Sequence, residues 1–345
     1  MTDKRRECFL DILRIIACFL VIVNHTNSDI FLNTAAGSLT WFASLTYFFV
    51  SKIAVPIFFM ISGYLLLGKI DSTKKMLQRI GRILVALIGC GVVYAIFDTY
   101  YMKSDPSVLT AIKDFLFIYF DSPSNALWYL YAYLGILLML PFLQKMTSVM
   151  TKRDYHVFFV ISVLYYSVLP VLNHYVNLIT ISSEIKLPLF DGTILFLFIG
   201  QYFARFGIKK TRRGFCISAA LYLLTLAFNV VATYYEHIRF GYNYLFFDNR
   251  IYFPILLQSV CVFYMISFVK LGEKTERVIS YVGACTFGIF LLSDMNIGFL
   301  KFIFTGLSAN IHPLFAVVIY EICVFVIGGV VVSLLRMVPL VKKVL

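Results

Sequence analysis

The amino-acid sequence predicts an all-α, polytopic integral membrane protein with about ten transmembrane helices and both termini in the cytoplasm. Three observations predict this architecture: an apolar composition, apolar runs of spanning length, and cations concentrated in alternate connecting segments. Of the 345 residues, 61% are hydrophobic and 14% are charged, and the mean hydropathy is +0.86. A soluble chain of this length needs more polar surface, so soluble enzymes and nucleic-acid-binding proteins are excluded despite the net charge of +12.

Ten segments meet the length requirement of about 20 mainly apolar residues for a membrane-spanning helix. The predicted spans are 8–27, 41–68, 80–101, 127–144, 156–174, 189–206, 214–235, 251–269, 278–300 and 313–335. Backbone polar groups in lipid must be bonded internally, and the residue alternation of a β-barrel is absent. We therefore expect each segment to be a helix in contact with membrane lipids.

The distribution of basic residues predicts the orientation of these spans. With a cytoplasmic N-terminus, the inside segments hold 22 of the 30 Lys and Arg residues and the outside segments hold six. The other two, Arg14 and Lys52, lie within predicted spans. An excess of cations inside is typical of membrane proteins and favours cytoplasmic termini.

The chain shows neither a metal-binding pattern nor a boundary between domains. Its seven cysteines form no Cys-x-x-Cys pair, so we expect neither a metal site nor a disulfide framework. Without a linker or an internal repeat, residues 1–345 are expected to form a single transmembrane domain without a soluble appendage.

The first predicted helix carries ionisable residues, which are costly in lipid and therefore indicate function. Arg14 and His25 are eleven residues apart. In an α-helix this spacing is a rotation of about 1100° and a rise of about 16 Å, so both side chains share one face, together with Cys18. Asp11, three residues before Arg14, is placed to pair with its guanidinium.

Two interpretations of the polar stripe formed by Arg14 and His25 stay open. In the first, the guanidinium and the imidazole line a polar passage, and His25 acts as a general base because an imidazole exchanges protons near neutral pH. In the second, Arg14 extends towards the inner interface beside Asp11, and His25 makes an interhelical hydrogen bond at the outer headgroups.

Several segments resemble the type-3 integral membrane acyltransferases, a family of bacterial envelope O-acyltransferases. The spacing of Arg14 and His25 resembles the signature of that family's first helix. Further similar segments are residues 55–66, the basic stretch with Lys75, Arg79 and Arg82, residues 127–132, and residues 285–292. The resemblance covers about residues 8–335.

The chain departs from that family at two histidine positions. Relatives often have a histidine after the late motif, where this chain has Ser293 and Asp294, and another before the tryptophan, where it has Ala126. His25 is therefore expected to carry the imidazole chemistry alone or with a carboxylate.

The resemblance implies transfer of an acyl group, commonly acetyl from acetyl-CoA, to a hydroxyl of an envelope glycan or glycolipid at the bacterial cytoplasmic membrane. Lys75, Arg79 and Arg82 are then expected to bind the phosphates of the acyl-CoA, and the pantetheine arm runs past Arg14 to His25. A covalent acyl-histidine is the less favoured variant. The alternative for the basic cluster is an ordinary signal of inside orientation.

Four other residues are candidates for supporting roles in this reaction: Lys52, Asp294, Glu321 and Trp128. Lys52 either holds the thioester oxygen or forms a structural ion pair. The two acids either orient His25 or pair with Lys52 or Arg14. Trp128 stacks on a sugar or belongs to the aromatic belt at the membrane interface.

Two other functions compete with acyl transfer. A transporter or flippase for an envelope polysaccharide or lipid-linked sugar also needs a buried polar path. A membrane anchor ranks below both, because a scaffold has no need to bury Arg14 and Lys52. The sequence assigns no particular acceptor, acyl chain length or oligomeric state.

Overall fold

The computed structural model describes residues 7–97, 99–100, 107–117, 127–176, 187, 189, 192–241 and 245–345. All secondary structure in these ranges is helical, which confirms the all-α prediction. The α-helices are α1 (Cys8–Thr26), α2 (Ser28–Leu32), α3 (Leu39–Ser51), α4 (Ala54–Leu66), α5 (Thr73–Phe97), α6 (Val108–Phe117), α7 (Trp128–Val149), α8 (Lys152–Val163), α9 (Leu169–Val176), α10 (Gly192–Phe206), α11 (Arg212–Phe240), α12 (Phe253–Ile266), α13 (Glu273–Phe299), α14 (Lys301–Ser308), α15 (Pro313–Leu335) and α16 (Pro339–Val344). A π-helical turn, Leu164–Val168, joins α8 to α9, and a 3-10 helix, Phe246–Asp248, precedes α12.

Nine helical stretches within the described ranges are long and apolar enough to cross a membrane. They are Cys8–Leu32, Leu39–Leu66, Thr73–Phe97, Trp128–Val149, Lys152–Val176, Arg212–Phe240, Phe246–Ile266, Glu273–Phe299 and Pro313–Leu335. The tenth predicted span, 189–206, contains α10, whose 15 described residues give a length of about 22 Å, shorter than the hydrocarbon core. The protein is a multi-pass membrane protein.

Several helices begin well before the predicted spans. α5 starts at Thr73 rather than residue 80, and α13 starts at Glu273 rather than residue 278. The apolar run marks the part of a helix that suits lipid, whereas the backbone hydrogen bonds continue through charged residues with good helix propensity.

Contacts divide the chain into two compact units, each built from two stretches of sequence. Unit 1 comprises residues 1–69 and 144–283, and unit 2 comprises residues 70–143 and 284–345. The boundaries fall within α7 and α13, so each of these helices contributes residues to both units.

The core of unit 1 contains a close crossing of α4 and α10. A Cβ on Gly63 would lie 1.8 Å from the carbonyl oxygen of Leu197, and one on Gly200 would lie 1.9 Å from that of Met60. The two backbones therefore touch, and glycine is required on both sides of the crossing. Small residues allow this approach between membrane helices.

Unit 1 also contains a break in the predicted span 41–68. α3 ends at Ser51 and α4 begins at Ala54. Pro56 has no N–H to donate to the carbonyl of Lys52, four residues earlier, so a regular helix cannot continue through this point. The break holds Lys52 at the junction of the two helices.

Unit 2 is held together by tyrosines that bond to the backbone of α13. The Tyr94 hydroxyl on α5 donates to the Leu291 carbonyl at 3.2 Å and accepts from the Met295 N–H at 3.3 Å. On α15, the Tyr320 hydroxyl donates to the Ile297 carbonyl. These hydrogen bonds connect α5 and α15 to the second half of α13.

Candidate functional site

The predicted pair of Asp11 and Arg14 is present near the start of α1. Arg14 Nη1 lies 2.5 Å from Asp11 Oδ1, and Ser280 Oγ donates to Asp11 Oδ2 at 3.1 Å. Asp11 is 0% exposed, whereas the Arg14 side chain is 24% exposed. The buried carboxylate thus compensates the guanidinium charge and orients it through a charge-assisted bond.

His25 lies in the last turn of α1, beside the junction of α3 and α4. Ser51 Oγ lies 3.4 Å from Asn24 Oδ1, and Ser44 Oγ donates to the Asn27 carbonyl at 3.0 Å. The His25 side chain is half-buried. These contacts attach the turn that carries His25 to α3, and they place it next to the helix break at Lys52.

Between its two polar ends, the shared stripe of α1 is packed. Cys18 is 1% exposed and Ile22 is 0% exposed. Arg14 and His25 therefore lie on one helix of unit 1, as expected, with buried side chains along the face between them. A passage that joins the two stays a prediction.

Lys52 forms an ion pair with an acid that the sequence did not indicate. Its Nζ lies 2.5 Å from Asp248 Oδ1 and 3.9 Å from the centre of the Phe48 ring. Asp248 is thus a partner of Lys52, as Asp11 is of Arg14; pairing of Asp294 or Glu321 with either cation stays a prediction. Spacing along one helix could not reveal Asp248, because Asp248 lies far from Lys52 along the chain.

The segment that carries Asp248 is anchored by its neighbours. Phe247 is 0% exposed and belongs to an aromatic cluster with Phe31, Trp41, Leu45, Phe48 and Phe49. Phe246 stacks on the ring of His174, with centroids 3.8 Å apart. His174 Nε2 in turn lies 3.1 Å from Oε1 of the fully buried Glu236.

A cavity of about 710 Å³ lies against this segment in unit 1. Its lining combines aromatic and aliphatic side chains with polar ones: Phe59, Gly192, Thr193, Phe196, Leu245, Phe246, Asp248, Asn249, Arg250, Ile251 and Tyr252. The predicted catalytic residues Arg14 and His25 are not among these lining residues. A run of aromatic residues interrupted by charges at 246–252 is the sequence signal that would have drawn attention to this site.

The basic stretch predicted to bind acyl-CoA lies at the start of α5 in unit 2. Lys75 Nζ lies 2.7 Å from Asp71 Oδ1, and Arg79 pairs with Oδ2 of the same carboxylate. Arg82 instead donates to the carbonyl oxygens of Val344 and Leu345, at 2.7 and 2.9 Å. Arg79 and Arg82 therefore bind different partners.

The remaining predicted support residues also belong to unit 2. Asp294 is half-buried and Glu321 is 2% exposed. Trp128 is the first residue of α7 and packs edge-to-face on Tyr129, with centroids 6.5 Å apart. Tyr129 packs in the same way on Phe290, at 5.7 Å. Roles of the two acids towards His25, and of Trp128 towards a sugar, stay predictions.

The amino-acid sequence was compared with models of protein families. A family model described as an acyltransferase domain matches residues 9–337, which include parts of both units. No curated protein matches the chain, and no solved structure matches it.

Proposed function

This chain belongs to the type-3 acyltransferase family, and from that membership we propose that it transfers an acyl group from acyl-CoA to a hydroxyl of an envelope glycan or lipid-linked sugar. Acetyl is the proposed acyl group, and the bacterial cytoplasmic membrane is the proposed location. The observation that carries the mechanism is the guanidinium of Arg14, held by a buried carboxylate on the same helix as His25.

The donor is proposed to bind from the cytoplasmic side at the start of α5. Lys75, Arg79 and Arg82 supply cations for the phosphates of acyl-CoA. Because Asp71 pairs with Lys75 and Arg79, phosphate binding replaces or shares an existing carboxylate contact. The Lys75 side chain is 53% exposed, so it is accessible to a ligand.

Arg14 is proposed to hold the polar part of the acyl-CoA arm. Its charge is compensated by Asp11 on one side, while a quarter of its side chain stays accessible. A guanidinium has several N–H donors in a fixed plane, so one can bind Asp11 while others bind carbonyl oxygens of the pantetheine amides.

His25 is proposed to act as the general base. The imidazole takes the proton of the acceptor hydroxyl as its oxygen attacks the thioester carbonyl. The C–O bond forms, the tetrahedral intermediate collapses, and the C–S bond breaks. The proton on His25 then passes to the leaving CoA thiolate, so the products are an ester and CoA thiol.

We propose that Lys52 stabilises the fold and does not contact the thioester. Its ion pair with Asp248 supports the structural one of its two roles, because the pair ties the junction of α3 and α4 to the segment before α12. Asp294, Glu321 and Trp128 are proposed as supporting residues.

The experiment that tests this function is an acyl-transfer assay with the purified protein in nanodiscs. Isotope-labelled acetyl-CoA is supplied with envelope glycan from a deletion strain, and labelled ester and CoA thiol are both measured. We expect His25→Gln to lower transfer by about 10² to 10⁴-fold, the usual contribution of a positioned base. His156→Gln is the matched control, because this exposed histidine bonds to Tyr202 instead.

Two results would contradict the proposal. One is an unchanged transfer rate in a folded His25→Gln protein. The other is movement of a glycan or lipid-linked sugar across the membrane without consumption of acetyl-CoA, which would support a transporter or flippase.

A further inference from the structure

The cavity of unit 1 has a lining that combines aromatic residues with polar groups. Phe59, Phe196, Phe246 and Tyr252 supply aromatic rings, and Thr193, Asp248, Asn249 and Arg250 supply hydroxyl, carboxylate, amide and guanidinium groups. A pyranose has C–H groups on its faces and hydroxyls around its rim, so it matches such a lining. The volume of about 710 Å³ lies within the range of about 300 to 1,000 Å³ typical of small-molecule sites.

The walls of the cavity are positioned by contacts within the protein. Phe246 is backed by the parallel ring of His174 at 3.8 Å, and His174 is held by buried Glu236. Asp248 is held by Lys52 at 2.5 Å. Side chains fixed in this way lose little conformational entropy when a ligand binds.

The cavity is linked to the turn of α1 that carries His25 by two side-chain contacts. Asp248, on the cavity wall, pairs with Lys52. The neighbouring Ser51 has its Oγ 3.4 Å from Oδ1 of Asn24, which directly precedes His25. An acceptor in the cavity would thus bind in the part of unit 1 that also holds the proposed base.

We propose that this cavity binds a sugar ring of the acyl acceptor, and that Arg250 and Thr193 determine which sugar fits. The proposal rests on the proposed function, because it places the acceptor of that reaction. Arg250 offers a planar set of donors that reads the arrangement of neighbouring hydroxyls. Thr193 offers one hydroxyl whose loss hardly changes the shape of the site.

The test measures sugar binding separately from acyl chemistry. Saturation-transfer NMR is run on the full chain in nanodiscs with the methyl pyranosides of glucose, galactose, mannose, rhamnose and N-acetylglucosamine. Glycerol serves as a polyol without a ring. We expect saturable binding of at least one pyranoside, and at least fivefold weaker binding in both Arg250→Gln and Thr193→Val.

Arg239→Gln is the matched control, because Arg239 is exposed in the last turn of α11 and stacks on Phe240. We expect it to bind the sugar as the parent protein does. Thermal unfolding is measured for every variant, so that weaker sugar binding by a folded protein is distinguished from misfolding.

The outcomes separate this proposal from the proposed function. If no pyranoside binds, or if both cavity variants bind as tightly as the parent, the cavity proposal fails while acyl transfer can still stand. If a pyranoside binds and the cavity variants weaken it, but no acyl group is transferred, the proposed function fails and the cavity is still a sugar site.

Discussion

Two regions of unit 1 each hold a cation and a carboxylate 2.5 Å apart, yet they differ in how the chain builds them. Arg14 and Asp11 are three residues apart on α1. Lys52 and Asp248 come from the α3–α4 junction and from a segment far along the chain. The first acid is 0% exposed and the second is 34% exposed.

This difference shows that an ion pair in this protein can be determined either by local helix spacing or by tertiary packing. Local spacing on one helix decides that the first pair forms, and the full burial of Asp11 makes its charge dependent on Arg14. Tertiary packing decides that the second pair forms, and partial exposure lets water solvate Asp248 if Lys52 is removed. The two pairs should therefore respond differently to the loss of the cation.

Breaking the buried pair should have the largest effect. In Arg14→Gln, the Asp11 carboxylate stays buried without its cation, and we expect the free energy of unfolding to fall by about 3–5 kcal/mol. We also expect acyl transfer to be lost, because Arg14 is proposed to hold the donor. Unfolding in mixed detergent micelles and the transfer assay measure the two effects.

The double variant Asp11→Asn with Arg14→Gln separates stability from catalysis. Removing both charges should recover most of the lost stability, because no buried charge then lacks a partner. Acyl transfer should stay lost. Recovery of transfer in the double variant would show that Arg14 acts only as a structural partner of Asp11.

The crossing of α4 and α10 is a second feature that depends on residues far apart in sequence. Gly200→Ala places a methyl group on the Met60 carbonyl, so the helices must separate, and we expect a loss of about 1–3 kcal/mol. Gly135→Ala is the control, since no atom of another described helix or loop lies within 4 Å of a Cβ at that position. Equal stability of both variants would mean that α4 and α10 do not pack this closely.

Breaking the partly exposed pair should have a smaller effect. In Lys52→Gln, Asp248 is a third exposed and can be solvated, so we expect a loss of about 1 kcal/mol after solvent screening. The reversed pair, Lys52→Asp with Asp248→Lys, should restore part of this stability. Thermal unfolding of the single and reversed variants checks the coupling, and purely additive effects would count against it.

The pair of Lys75 and Asp71 completes the series. It is local like the first pair, but Lys75 is 53% exposed and the Asp71 carboxylate keeps Arg79 as a second cation, so we expect Lys75→Gln to change stability by less than about 0.5 kcal/mol. Its effect should appear in donor binding, as a KM for acetyl-CoA raised about threefold at unchanged kcat. Lys74→Gln, which alters an exposed neighbour, should leave KM as it is.

Much of the fold was predictable because lipid imposes simple local rules. Each apolar run of sufficient length must satisfy its own backbone bonds, and helices are therefore found at the predicted spans. The pairing of Asp11 with Arg14 was predictable for a similar reason, since helix geometry alone places residues three apart on one face. Helix starts such as Thr73 were missed, because hydropathy reports the lipid boundary and not the end of backbone bonding.

The partner of Lys52 and the cavity at 246–252 were not predictable in this way. Asp248 and Arg250 lie between α11 and α12. No helical periodicity relates them there to residues elsewhere in the chain. Their positions depend on how Phe247 packs into the aromatic cluster and on how α3 breaks at Lys52.

Short-range pattern was thus sufficient for the class of the protein, the approximate spans and the polar stripe of α1, because hydropathy and helical periodicity act over a few neighbouring residues. The choice of partners for Lys52 and Arg82, and the shape of the cavity, came from packing between distant parts of the chain. Those contacts depend on side-chain volume and backbone approach, as at Gly63 and Gly200, and such complementarity exists only once the helices are assembled.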